Sequence, residues 1–308
     1  MLTNIILNVN NIMSNKLYKV FTHGDLDGAV SLLCLLWAKP NDTVEYEELY
    51  NNTVEERLVS YNEKTLNKPT TVVMDFSLRE SFLNLDFSEF VFVDHHKSSE
   101  QYLDKFKNAK IVFKNTTSNT ALMYNTFLKT SNSLTTEQKY LIALANDFDC
   151  YELKLPHSYD LNVLFWSEYR GKFHKFINDF KSGFKGFSET QKKLIQSEKT
   201  LACSYADKLQ KFRGTINLKN IQYNTVAVVG ERFNTLVNDC IIRKYNPDLF
   251  FYINTKTEKV NMRKKTSIEN FDIGLFAEEI CEGGGNLNSG GGKLTPLFME
   301  LMKNLKPE

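Results

Sequence analysis

The stretch FVFVDHHKSS, residues 90–99, begins with four apolar residues and turns at once into Asp94, His95 and His96. A short continuous apolar run reads as a strand buried on both faces, and its abrupt end reads as the strand's carboxyl terminus. The chain holds 5 His in 308 residues. Two of them side by side behind an aspartate, where a buried strand becomes a loop, point to chemistry at that strand end.

Working outward, three further segments repeat the pattern. FTHGDLDGAVS (21–31) ends a strand at His23, places Asp25 and Asp27 at alternate positions, and enters a helix through Gly28. TTVVMDFS (70–77) ends a buried strand at Asp75, and LANDFD (144–149) carries Asp147 and Asp149. One strand-terminal aspartate is often only the cap of the next helix. Four such segments in one half of the chain, with three of the 5 His among them, are harder to explain by capping. Imidazole and carboxylate ligands without thiolate suit Mn²⁺, with Mg²⁺ as the alternative, and disfavour structural zinc. The carboxylates suffice for two ions ~3.5–4 Å apart, the usual apparatus for in-line displacement at phosphorus by an activated water.

The surrounding pattern predicts the scaffold. Strands over 17–23, 43–49, 70–77, 90–96 and 109–113 alternate with helices over 28–39, 54–62, 118–130 and 136–148. This rhythm defines an α/β fold with a mostly parallel, doubly wound sheet. Ligands of such sheets bind outside the carboxyl ends of the strands, where His23, Asp75 and Asp94 fall. After about residue 151 the pattern turns helical, and from 214 onward strands return in a smaller α/β unit. The expected organisation is a flexible extension (1–16), a catalytic domain (17–185), a linker helix (186–213) and a substrate-binding domain (214–308).

Composition agrees with a folded two-domain chain, at 42% hydrophobic and 24% charged residues. No apolar run approaches a membrane span, and MLTNIILNVNNIMSNK lacks the basic leader and cleavage site of a secretory signal. The five cysteines show no paired spacing, so reduced thiols in a cytoplasmic protein are expected. The net charge of +1 hides an asymmetry: residues 1–150 carry 14 Lys and Arg against 19 Asp and Glu, the remainder 24 against 18. An acidic half joined to a basic half suits carboxylates that hold cations and a second half that receives an anion. Two ordinary solvated surfaces would give the same count.

THGDLDGAVS, VVMDFS, VFVDHH and LANDFD, in this order, resemble the four motifs of the DHH phosphoesterase superfamily, in its RecJ-like exonuclease and NrnA-like oligoribonuclease branch. The resemblance extends to the C-terminal half, where VNMRKK (260–265) and CEGGGNLNSGGGKL (281–294) stand in place of a phosphate-binding Arg strand and a Gly-Gly-Gly-His loop. It implies one metal on His23, Asp25 and Asp75, and a second on Asp27, Asp75, His95 and Asp147, with Asp75 as the bridge and Asp149 as the alternative to Asp147. It implies that His96 faces the phosphate and that Asp94 orients a histidine. Arg263, Gly283, Gly284, Gly285 and Asn286 would bind substrate, with Ser118 as a weaker contact that helix capping explains equally well. Asn286 replaces the family histidine. It keeps a hydrogen-bond donor but carries no charge near neutral pH.

The implied function is a metal-dependent phosphodiesterase that hydrolyses single-stranded nucleic acid or short oligonucleotides to nucleoside 5′-monophosphates by two-metal activation of water. Cyclic or linear dinucleotides, or pyrophosphate, are the alternative substrates. A non-catalytic nucleic-acid-binding protein on the same fold is the reading from a different class. The sequence leaves open RNA against DNA, and monomer against homodimer.

Overall fold

The computed structural model describes residues 16–115, 117–130, 133–232, 234–285 and 287–308. Most of the extension expected at 1–16 lies outside these residues. Lys16 itself is pinned, its backbone N–H donating to Asp42 Oδ1 at 3.0 Å.

The first half is built on five parallel strands: β1 (Leu17–His23), β2 (Thr43–Leu49), β3 (Thr70–Met74), β4 (Phe90–Asp94) and β5 (Lys110–Phe113), in the order β2-β1-β3-β4-β5. Successive side chains enter opposite cores, as the two-residue period of a strand requires. Val20, Val72, Met74 and Val93 pack on one face. Phe21, Val73, Phe90 and Phe92 pack on the other. Helices therefore cover both faces, which is the doubly wound α/β fold the sequence predicts. Against the first face lie α1 (Leu26–Ala38), α3 (Asn119–Met123, continued by a π-turn over Tyr124–Leu128) and α4 (Thr136–Asp149). The second face is closed by α2 (Val54–Lys64) and by 3₁₀ turns over Glu80–Leu85 and Lys97–Lys105. The stretch read only as helical after residue 151 forms α5 (Ser158–Leu164, with a π-turn over Phe165–Tyr169) and α6 (Phe173–Phe180). Their buried Phe165, Tyr169 and Phe176 meet edge to face.

Chain order reverses between β1 and β3: β2 lies on one side of β1 and all later strands on the other. The crevice at that switch point is where a ligand of an open parallel sheet sits.

A long helix, α7 (Glu189–Lys208), leads to the second sheet, and a reciprocal capping box between Ser188 and Gln191 fixes its start. The second sheet orders seven strands as β10-β11-β9-β8-β7-β6-β12, where β6 is Lys211–Leu218, β7 Ile221–Val229, β8 Leu249–Asn254, β9 Lys259–Lys264, β10 Gly284–Gly285, β11 Ser289–Lys293 and β12 Leu305–Pro307. Only β7 and β8 run parallel. One face carries α9 (Ile273–Cys281) and α10 (Pro296–Met302), and the other carries α8 (Asn234–Tyr245). Because β6 begins at Lys211, the strand starts inside the stretch expected to be linker.

α7 belongs to both halves. Ile195 is buried in the first core and Ala206 in the second. The expectation of five reduced cysteines is corrected here: Cys203 on α7 and Cys240 on α8 form a disulfide, with Cα atoms 5.4 Å apart. A separation of 37 residues showed no paired spacing, because helix packing alone brings the two together. Cys34, Cys150 and Cys281 are free. A bridge across a loop of this size adds ~2–4 kcal/mol to stability. Alkylation of the denatured, unreduced protein should therefore label three thiols by mass, and five after reduction. Five without reductant would remove the bridge.

Candidate metal centre

The loop after β1 is organised by its own carboxylates. Asp25 caps α1, accepting the Gly28 N–H on Oδ1 at 2.9 Å, and its Oδ2 meets His23 Nδ1 at 2.7 Å. Gly28 is demanded by crowding, since a Cβ there would lie 2.1 Å from the His23 carbonyl oxygen. Asp27, in the first turn of α1, is buried, and its two oxygens accept the Asn119 and Thr120 N–H groups at 2.8 Å. The start of α3 thus holds Asp27, a function for the Ser-Asn-Thr segment that sequence did not reveal.

Asp75 follows β3 with φ of 64°, a left-handed conformation costly for a residue with a Cβ. That turn brings its carboxylate between two imidazoles: Oδ1 lies 3.3 Å from His95 Nε2, and Oδ2 lies 3.9 Å from His23 Nδ1. Oδ2 is buried and has no hydrogen-bond partner among the described residues. Strained backbone of this kind persists where the surroundings over-determine it, and it concentrates at functional sites.

At the end of β4 the two histidines part. His95 turns into the cluster, its Nε2 3.8 Å from both Asp27 Oδ2 and Asp149 Oδ2. His96 is 41% exposed and meets Asp94 Oδ1 through Nδ1 at 2.6 Å. Asp94 is buried and also accepts the Ser99 hydroxyl and the His96 N–H. These bonds hold Asp94 below the usual carboxylate range against the opposing effect of burial. An ionised Asp94 makes Nδ1 the donor, which fixes the tautomer and leaves His96 Nε2 for an outside partner.

The residue from α4 that joins this cluster is Asp149, not Asp147. Asp147 turns away and accepts the Lys154 and Leu155 N–H groups at 2.9 and 3.1 Å and the Ser158 hydroxyl at 2.5 Å. It secures the turn into α5. A buried carboxylate with three donors is a structural anchor.

Three groups of ligand atoms result, each within 4.8 Å: His23, Asp25 and Asp75; Asp27, His95 and Asp149; Asp75, His95 and His96. Burial and the nearby charges of Asp27 and Asp25 raise Asp75 well above the carboxylate range. Burial and then Asp27 push Asp149 up to about 7. Burial opposes protonation of His23, but Asp25, Asp75 and Asp27 outweigh it and raise that imidazole to about 9. His95 is raised for the same reason by Asp75, Asp149 and Asp27. Without cations, protons balance the clustered charge. Cys150, next to Asp149 in the chain, is in none of these groups, so the centre offers imidazole and carboxylate donors. That donor set, with the orphaned Asp75 Oδ2, fits Mn²⁺ or Mg²⁺.

The residues named for substrate are less uniform. Ser118 is fully buried; its hydroxyl caps α3 at Ala121 and donates to Asn146 Oδ1, so it is no substrate contact. Arg263 on β9 is partly buried and reaches back toward the first half, its guanidinium 4.8 Å from the Tyr151 ring centre. Gly283 donates its N–H to Ala277 O at 3.3 Å, while Gly284 and Gly285 form β10, paired to β11. The glycine stretch is thus a hairpin at the sheet edge rather than an open cradle. Here a Cβ on Gly283 would lie 1.9 Å from the Gly291 carbonyl oxygen, so close backbone approach explains the glycine. Asn286 lies outside the described residues.

No protein-family sequence model matches the chain, and no curated protein matches it. Solved structures do. The DHH domain of a protein described as belonging to a family of ribosomal proteins superposes with a TM-score of 0.62 at 14% identity, over 94% of this chain and 86% of that one. RecJ of Thermus thermophilus in complex with Mn²⁺ gives 0.56 at 11% identity, over 94% of this chain but 51% of RecJ. The chain has the fold of the DHH phosphoesterase superfamily. A pGpG-specific phosphodiesterase, PggH of Vibrio cholerae, shares it at a TM-score of 0.53 and 12% identity, over 93% of this chain and 99% of that one.

Two outcomes follow from this geometry. The folded pKa values of His23, at about 9, and Asp149, at about 7, both lie above the ordinary values of 6.5 and 3.8. The stability each adds is held at low pH and lost as pH rises through its folded pKa. The thermal midpoint of the metal-free protein should therefore fall between about pH 4 and 9, first as Asp149 and then as His23 loses its proton. The increase in midpoint on adding Mn²⁺ should grow over the same range, because fewer protons compete. A flat profile in both would contradict the charge balance. Separately, Asp149→Ala should lower Mn²⁺ stoichiometry by elemental analysis. Asp147→Ala should keep it while lowering the thermal midpoint.

Proposed function

We propose that the chain is a metal-dependent phosphodiesterase that releases nucleoside 5′-monophosphates from short single-stranded oligonucleotides. The observation that carries this reading is Asp75, strained, buried and with an unpartnered oxygen between His23 and His95. The neighbours add support, since one is described as a pGpG-specific phosphodiesterase and another was crystallised with Mn²⁺. PggH is matched over nearly its whole length and RecJ over half, which favours a dinucleotide-sized substrate over a long strand.

His23, Asp25 and Asp75 would hold one cation, and Asp27, Asp75, His95 and Asp149 the other. Such ions, when bound, neutralise a phosphate and lower the pKa of a water. The chain's own groups do the rest. Asp27 is fixed by the Asn119 and Thr120 N–H groups and Asp25 by the Gly28 N–H, so neither carboxylate needs to reorganise during the reaction. Water would attack phosphorus in line and give up a proton as the bond from phosphorus to the 3′ oxygen breaks; the 3′ oxygen takes up a proton from solvent to become a hydroxyl, and the phosphate stays on the 5′ oxygen of the nucleotide released. Asp94 holds His96 through Nδ1, and the Nε2 left over would meet an oxygen of the substrate phosphate. Arg263 would grip a phosphate oxygen, a role for which guanidinium is well shaped.

The test is product analysis with Mn²⁺ on separate samples of a linear dinucleotide, a cyclic dinucleotide, a short RNA, a longer single-stranded DNA and pyrophosphate. The linear dinucleotide and short RNA should yield 5′-monophosphates fastest. Asp75→Ala should reduce that rate at least a thousandfold, because the residue serves both cations. Rapid pyrophosphate turnover with no nucleotide released would overturn the proposal. Oligonucleotide binding without turnover would point to the non-catalytic reading.

A further inference from the structure

Arg263 projects from β9 on the face opposite Val260 and Met262, which enter the core beneath α9. Its Nη1 donates to the Met262 carbonyl at 2.9 Å, its Nε is buried without a hydrogen-bond partner, and no carboxylate among the described residues pairs with it. The guanidinium instead lies over Tyr151, 4.8 Å from the ring centre. Tyr151 comes two residues after Asp149 and holds a left-handed backbone, φ 51°, that glycine adopts more readily. Its ring is set by an edge contact with Phe148 on α4, at 6.3 Å. A turn alone would need no ring here.

We infer that Tyr151 is a positioning residue for Arg263, aiming the guanidinium of the second half toward the rim of the acidic centre of the first. The inference rests on the phosphodiesterase reading for its ligand, a substrate phosphate. The choice of an aromatic partner has a physical consequence. A carboxylate in its place would satisfy the guanidinium and repel the incoming phosphate. The negative face of a neutral ring attracts the cation and fixes its direction, yet leaves its charge and outer N–H donors for an anion. Phe148 and Asp149 close α4, and Tyr151 follows in the turn toward α5. The ring that orients Arg263 and a carboxylate of the metal centre therefore come from one short segment.

The experiment compares steady-state kinetics of the full-length Mn²⁺-loaded protein on a 5′-phosphorylated dinucleotide for Tyr151→Phe, Tyr151→Leu and Tyr151→Ala, each also in an Arg263→Ala background. In parallel, the Arg263 Nε–H resonance is recorded in arginine-labelled protein. Tyr151→Phe should keep KM within twofold, since the ring remains. Tyr151→Leu and Tyr151→Ala should raise KM about fivefold with kcat changed less than twofold. Neither should raise KM further once Arg263 is Ala. The Nε–H shift, moved by the ring current in the wild type and in Tyr151→Phe, should collapse in the other two. Equal harm from Phe and Ala, additivity with Arg263→Ala, or an Nε–H shift indifferent to Tyr151→Ala would each overturn the inference. If the wild type cleaves no dinucleotide, the functional reading fails and the substrate role of Tyr151 fails with it. A ring-dependent resonance would then mark the pair as a purely structural contact.

Discussion

Everything in the first half is arranged around a repulsion. Asp25, Asp27, Asp75 and Asp149 converge on the crevice where strand order reverses, close enough that burial and mutual charge lift Asp75, Asp27 and Asp149 above their ordinary range. Like charges at such distances in a poorly solvated crevice are sustained only if positive charge lies among them. The fold supplies two imidazoles, and both bind protons more tightly for it. The remaining structure keeps the carboxylates from turning away: a helix cap for Asp25, the start of α3 for Asp27, and a left-handed turn for Asp75. Such a centre is unfavourable alone and favourable around a cation, which is what distinguishes a binding site from a well-satisfied core.

Much of this was visible in the sequence because strand ends announce themselves. Phe90–Val93 and Thr71–Met74 are continuously apolar or nearly so, and the polar residues behind them had to fall at carboxyl ends, where the parallel order of the sheet placed them side by side. Asp147 and Asp149 could not be separated that way. They sit on one helix end, and the choice was made by donors beyond it, from Lys154, Leu155 and Ser158, that no periodicity encodes. The Cys203–Cys240 bridge and the support of Asp27 by Asn119 and Thr120 were illegible for a related reason. Each depends on how distant elements pack.

The second half was readable as strands and helices and as the receiver of an anion, but not in how it meets the first. Its glycines suggested an open loop, whereas several are required because two backbones come into contact in a hairpin. It meets the segment after Asp149 where Arg263 lies over Tyr151, two residues far apart in the chain whose meeting is set by the sheet face on one side and a left-handed turn on the other.

α7 gives this relationship a mechanical character. A helix of 20 residues is a rod ~30 Å long, and here each end is sunk in a different core. The depth of Ile195 in one core fixes the height of Ala206 in the other, and the bridge to α8 prevents the rod from turning about its own axis relative to the second sheet. The connection therefore acts as a keyed shaft rather than a tether. The spacing of the two cores along its axis is therefore a geometric property of α7 and not of chain slack.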